Sequence, residues 1–436
     1  MTAFVGSLLR IAAVLAVASG IGWLASAALF PAGARHRAER VGWSYAIGAG
    51  LVAAMVPLAL LVHVRPGWVP FLVLAAVLVT VSVRLRVRGA PEAGPPADAA
   101  PSGILKLALQ ALIALGIALY ALRALTEPMW SNDFVAIWGL KGKTIFGSGA
   151  LPGLPQPNFS HPEYPLGLPL LYAGVAFLTG RWDDHAMALL FPAFQAATLL
   201  VAFGWLRRRG VSGEVALLAA AILACFEPLY SAFLTGMAEV PLSLGLLLFG
   251  TALADALDGE RAGALRRLAL GSALIAATKN EGLFFAAAGC LIALAFGGSR
   301  RWKAALAALP TALLVHGLHL AWRGRLPLRD FEFGLFSVER VWDSLAAAGG
   351  MLGLSAWAGL ALLVVLIALG GRVPAGNRLL LLSACGLAAY LIVPAFAVRG
   401  PAWLVETTLL RTTSALGPLL AAAIAVRYRP GLARGI

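Results

Sequence analysis

Apolar residues gather in runs of about twenty, the length that crosses the hydrocarbon core of a bilayer, and such runs recur from one end of the chain to the other. They fall near residues 8–30, 42–63, 68–83, 104–125, 166–180, 186–206, 214–226, 237–257, 268–278, 282–298, 304–322, 346–370, 378–398 and 412–427. Short polar stretches rich in arginine, glycine and proline separate them. The pattern predicts an all-α polytopic membrane protein with about 13 transmembrane helices. One run stands apart. The segment 166–180 is short for a crossing and has Pro169 near its start, so it is expected to lie in or dip into the outer leaflet, with Trp182 at the interface. The stretch 268–298 is too long for one crossing and is expected to form two short helices turning at Lys279–Gly282.

Composition removes the soluble classes. Of 436 residues 60% are hydrophobic and only 12% charged, with a mean hydropathy of +0.86. A net charge of +14 would suggest nucleic acid in a soluble protein. Here the arginines sit in short loops between spans, where they set orientation, so no nucleic-acid partner is expected. Cys225, Cys290 and Cys385 lie inside apolar runs without metal-ligand or redox spacing and read as small core residues. Ala25-Ser26-Ala27 resembles a signal cleavage site. The preceding apolar run is longer than a signal core and only Arg10 precedes it, so a retained helix is expected.

An alternating assignment places Arg35, Arg37 and Arg40, then Arg84 to Arg88, Arg207 to Arg209, Arg266 and Arg267, Arg300 and Arg301, Arg378 and Arg427 on the cytoplasmic face, with most acidic residues opposite. The membrane is expected to be a bacterial inner (plasma) membrane. The order is then an N-terminal three-helix segment (1–88), a Gly/Pro/Ala linker (89–103), a main transmembrane unit (104–427) and a cytoplasmic tail (428–436). Within the main unit, 126–185 forms one long extracytoplasmic loop.

That loop concentrates the chemistry. Asp133, Lys141, His161, Glu163 and Tyr164 lie in it, interleaved with Trp130 and Trp138. Long ordered loops are usually functional. Four further groups reach the same face: Glu239 where a helix enters the membrane, Lys279-Asn280-Glu281 at the predicted turn, His316, His319 and Arg323 at one helix end, and Arg411 at the start of the last span. Ionisable groups at membrane depth are costly, which makes each a functional candidate. His316 and His319 share one helical side, but no third metal ligand is evident, so they read as hydrogen-bonding residues.

Asn132-Asp133, Ile137-Trp138-Gly139-Leu140-Lys141 and His161-Pro162-Glu163-Tyr164-Pro165-Leu166 together resemble the first extracytoplasmic loop of GT-C class membrane glycosyltransferases of the family 39 type, related to protein mannosyltransferases and lipid A aminoarabinose transferases. Ala238-Glu239-Val240-Pro241-Leu242, Thr278-Lys279-Asn280-Glu281-Gly282 and the turn around Arg411 fit the same pattern. The likeness covers roughly residues 104–427, and the fold of about 13 transmembrane helices in the whole chain is taken as GT-C-like. It implies transfer of a sugar from a polyprenyl-phosphate donor to a lipid, glycan or protein acceptor at the extracytoplasmic face. Asp133 is implied as the catalytic base, and Glu239 as a second carboxylate where an aspartate is common. Lys279 and Arg411, with Arg323 beside them, are implied as phosphate clamps. A divalent cation, Mg or Mn, bridging Asp133 and Glu239 is compatible with the pattern, though nothing in the spacing demands it. A transporter or flippase of a lipid-linked or small anionic substrate is the competing class, favoured by the interrupted 268–298 run. A lipid-linked polymer ligase shares the donor and the location.

Overall fold

A computed structural model describes residues 2–31, 37–86, 103–151, 161, 163–259, 263–323, 337–351, 354–371, 373–393 and 401–429. The expected linker falls almost wholly outside these, as do the proline-rich centre of the long loop and most of the C-terminal tail. Every regular element among the described residues is helical. In chain order they are α1 (Thr2–Ala25), α2 (Arg37–Leu61), α3 (Trp68–Arg84), α4 (Gly103–Thr126), α5 (Gly139–Ser148), α6 (Gly167–Thr179), α7 (Asp184–Met187), α8 (Leu190–Arg208) and α9 (Gly213–Ala224). There follow α10 (Glu239–Leu257), α11 (Ala264–Thr278), α12 (Glu281–Phe296), α13 (Arg301–Arg323), α14 (Val338–Met351), α15 (Leu354–Leu369), α16 (Pro374–Ile392), α17 (Pro401–Ser414) and α18 (Gly417–Ala425).

The architecture is that of an all-α polytopic membrane protein. Among the described residues seven helices are long and apolar enough to cross a bilayer, or eight if α17 and α18, bent by 46°, form one span. The remaining apolar runs fold as helices that fall short of a crossing. Trp68–Arg84, Gly213–Ala224 and Glu281–Phe296 have only 12 to 17 residues. Large apolar side chains on α1, α3 and α4 point outward, as a lipid-facing surface requires.

Helix α10 is the axis. All nineteen of its residues are buried, against α8, α11, α12, α16 and α18. A helix apolar nearly all round suits a place enclosed by others or by lipid, and here protein encloses it. Helices α11 and α12 pack against each other as a hairpin, matching the turn expected at Lys279–Gly282. Gly282 makes it possible: a Cβ there would lie 2.0 Å from the Ile275 carbonyl oxygen.

Helix α6 is one of the helices too short to count as a span by length. Gly167 packs on the Ala277 carbonyl of α11 and Gly174 on that of Val52 in α2, while the Thr179 carbonyl accepts from Arg10 of α1. It therefore runs across the bundle rather than along it. Thirteen residues give about 20 Å of helix, too little to span. Its burial exceeds what a helix resting on an interface would show, because α5 covers the side that faces away from the bundle.

The arginines expected in solvated loops are partly in the interior. Arg208, Arg209 and Arg267 are buried and converge on Asp255, which is fully enclosed. Asp255 accepts from Arg208 Nη2 at 2.5 Å, Arg209 Nη2 at 2.7 Å, Arg267 Nη2 at 3.1 Å and Trp205 Nε1 at 3.2 Å. Glu39 of α2 takes Arg208 in a two-bond fork at 2.7 Å for each bond. These residues clasp α2, α8, α10 and α11 together, and the positive charge that orients loops here also bonds helices.

Candidate functional site

The opposite end of α10 carries the second polar cluster. Asp133 follows Ser131, whose hydroxyl accepts from the Phe134 amide and opens a helical segment. That segment starts with one wide π-type turn, Phe134–Trp138, a distortion frequent at functional sites. The turn buries Phe134, Ile137 and Trp138 and leaves Asp133 at the edge, partly exposed.

Arg411 of α17 reaches this carboxylate, with Nη1 to Asp133 Oδ2 at 2.6 Å. Its Nε lies 3.1 Å from Glu239 Oε1, so one guanidinium serves two carboxylates. Glu239, the first residue of α10, is buried and also pairs with Lys279 Nζ at 3.2 Å. Lys279 completes the series with Glu281 at 2.8 Å. Asp133, Arg411, Glu239, Lys279 and Glu281 thus form a continuous line of alternating charge drawn from four separate parts of the chain. The place between Asp133 and Glu239, where a bridging divalent ion was one expectation, is taken by Arg411. Glu239 Oε2 is buried without a hydrogen-bond partner among the described residues, as is Asn280 Oδ1 in the adjoining turn.

Local backbone explains why Lys279 faces inward. It stands in extended conformation between two helices, so its side chain leaves the hairpin at the tip rather than along a helix face.

A second group lies alongside. Lys141 Nζ donates to the His161 carbonyl at 2.5 Å, His161 Nδ1 meets Glu163 Oε1 at 2.8 Å, and His319 Nε2 donates to the Glu163 carbonyl at 3.1 Å. His161 adopts a left-handed φ of 53°, unusual for a residue with a Cβ and held here by these bonds. The His161 and Trp138 rings stack on opposite sides of Tyr164, at 4.7 and 5.3 Å between centroids. Both faces of that ring are therefore occupied. Burial raises the Tyr164 phenol above its ordinary pKa, against the opposing charges of Lys279 and Arg411, which places the hydroxyl within their field. Burial also lowers the Lys141 amine to about 8, with Glu163 acting in the opposite sense. His316 stands beside His319, ring centroids 6.1 Å apart. The Arg323 side chain lies outside the described residues. Among the described residues no three His, Cys, Asp or Glu side chains come together in a way that would hold a metal ion.

Beneath α6 a small apolar cavity of about 80 Å³ opens between α2, α8, α10 and α11. Ala49, Leu171, Leu244 and Leu274 line it, and it reaches Pro241 and Thr278, close neighbours of Glu239 and Lys279. A charged cluster and an apolar cavity therefore adjoin.

Sequence reasoning set Asp133 near Lys279 and Arg411 and weighed a Lys279–Glu281 pair, but did not foresee that Arg411 joins Asp133 to Glu239. It also missed the stack that closes both faces of Tyr164. The spacing His161-Pro-Glu163-Tyr164 was the available signal for a compact knot. No protein-family model matches the chain, and no curated protein matches its sequence.

Proposed function

We propose that the chain is a GT-C-like membrane glycosyltransferase that moves a sugar from a polyprenyl-phosphate donor to a lipid, glycan or protein acceptor, at the extracytoplasmic face of a bacterial inner membrane. The line Asp133–Arg411–Glu239–Lys279–Glu281 is the observation that supports this reading. Transfer from such a donor needs a carboxylate for the acceptor's proton and cations for the departing phosphate, and no general acid, because phosphate leaves as an anion. In this reading Asp133 takes the proton from the acceptor hydroxyl. The new glycosidic bond forms as the sugar–phosphate bond breaks, and Arg411 and Lys279 receive the polyprenyl phosphate.

Arg411 carries a further role. In the free protein it holds Asp133; an arriving phosphate competes for the same guanidinium and releases the carboxylate to act as base. Glu239 keeps Lys279 and Arg411 in place and presents one free oxygen to the acceptor side. The polyprenyl chain first meets protein at the small apolar cavity beneath α6. Together with the eight long spans, the shorter helices α3, α9, α11, α12 and α15, each spanning only where the bilayer thins to meet it, make up the expected set of about 13, with α6 as the crosswise element.

Lipids and glycans from cells with and without the gene, compared by mass spectrometry, identify the product. Asp133→Asn, assayed on that product, is expected to lower the rate by about 10²–10⁴ while inserting normally. Turnover at the wild-type rate refutes the assignment of the base. The hairpin break at Lys279 is the observation that favours a carrier instead. Substrate uptake into proteoliposomes without a covalent product would establish that class.

A further inference from the structure

The arginine-rich end of the bundle holds a second arrangement, separate from the clasp on Asp255. A groove of about 380 Å³ runs between α1, α2 and α8. Gly20, Trp23, Ala193, Ala196 and Leu200 line it together with Ser19, Ser44 and Tyr45, and the Ser44 and Tyr45 hydroxyls are spent on the Arg40 and Leu190 carbonyls. A Cβ added at Gly20 would meet nothing within 4 Å, so the groove is wide at that point.

Arg40 stands where the groove meets the arginine-rich end. Its guanidinium lies over the Trp23 ring at 4.0 Å, Nε donates to Ser26 Oγ at 2.6 Å and Nη2 to the Trp23 carbonyl at 3.0 Å. All of these partners are neutral. The neighbouring carboxylate, Glu39, is engaged by Arg208. Arg86 is close enough for its charge to act on Arg40, and Arg266 is brought to the same corner by the Ala28 and Leu85 carbonyls. Among the described residues no carboxylate pairs with Arg40, Arg86 or Arg266. Arg40 is half-buried and Arg86 and Arg266 are exposed, so the three keep a positive field at the mouth of the groove, weakened by solvent, that favours an anion there. The arginines that converge on Asp255 have a carboxylate; among the described residues the three at the mouth of the groove do not.

We propose that this corner binds one anionic glycerophospholipid, its phosphate on Arg40 with Arg86 and Arg266 around it and one acyl chain in the groove between α1, α2 and α8. A basic pocket between helices, at headgroup level and open to an apolar channel, has the chemistry of such a site. The proposal does not depend on the reaction assigned to the opposite end.

The test uses the full-length protein, purified in mild detergent and exchanged into phosphatidylglycerol or phosphatidylcholine of equal chain length, with bound lipid counted by native mass spectrometry. Phosphatidylglycerol is expected to be retained in preference. Arg40→Gln and Gly20→Leu are each expected to lower its retention about fivefold. Arg37→Gln, an exposed arginine one turn away, is expected to leave it unchanged. Equal retention of the two lipids overturns the headgroup assignment. Unchanged retention in Gly20→Leu, a variant with room for its new side chain, overturns the place of the tail. An equal loss in Arg37→Gln reduces the effect to general surface charge and overturns the site.

Discussion

Asp255→Asn tests the clasp at the arginine-rich end most directly. The substitution preserves shape and removes one charge from a carboxylate that accepts four donors and is fully enclosed. After it, Glu39 still serves Arg208 and Asp258 still reaches Arg209, but Arg267 loses the carboxylate it pairs with. Arg267 is itself buried and keeps the Leu29 carbonyl and the Phe30 ring, but breaking a buried ion pair from one side costs about 3–5 kcal/mol. Asp258 provides the internal comparison. Its side chain is 22% exposed and its pairs with Arg209 and Arg378 lie toward solvent, where such a pair contributes about 0–1 kcal/mol. Unfolding of the purified protein, followed by helical circular dichroism through a denaturant titration, should therefore separate Asp255→Asn from Asp258→Asn by at least about 2 kcal/mol. The double variant Asp255→Asn, Arg267→Met should recover much of the loss, because both halves of the costly imbalance are gone. Equal destabilisation by Asp255→Asn and Asp258→Asn, or no recovery in the double variant, refutes the account.

Three further outcomes are expected. Gly282→Ala places a methyl against the Ile275 carbonyl and should destabilise by about 1–3 kcal/mol, read in the same titration; wild-type stability would mean the hairpin opens without cost. Lys141 binds a proton less tightly in the fold, near pH 8, than at its ordinary 10.5, so the unfolded chain holds more protons between those values and stability should rise with pH across that window. Thermal midpoints from pH 8 to 10 should show this rise in wild type and not in Lys141→Met. For sidedness, Ser148→Cys in a cysteine-free background should react with an impermeant thiol reagent in intact cells, and Arg37→Cys only after lysis; the reverse pattern inverts the assigned orientation.

The long spans were legible because a crossing imposes a length and an apolar composition that few other structures share. The α11–α12 turn was legible for the same reason: thirty apolar residues with Lys279 in the middle fit two short helices better than one. Proximity was harder. That Asp133 lies beside Arg411, 278 positions later, follows from which helices neighbour α10, and single-chain hydropathy does not encode neighbours. Arg208, Arg209 and Arg267 were read as loop charges because arginines at helix ends usually are. The missed signal was Asp255, an acid in the last turn of an otherwise apolar run, where only a buried cation can hold it. The role of α6 was half visible: its length ruled out a crossing, but burial on every side depends on α5, which precedes it across the proline-rich centre of the loop.

The length of α10 has a consequence for where any reaction would take place. Glu239 and Asp255 are sixteen residues apart, about 24 Å along the axis, whereas the hydrocarbon core of a bilayer is about 30 Å thick. With Asp255 level with one boundary of that core, Glu239 lies about 6 Å inside the other. So placed, a water-soluble partner must send its reacting group down into the protein, and a lipid-borne one needs to rise only a short way to meet it.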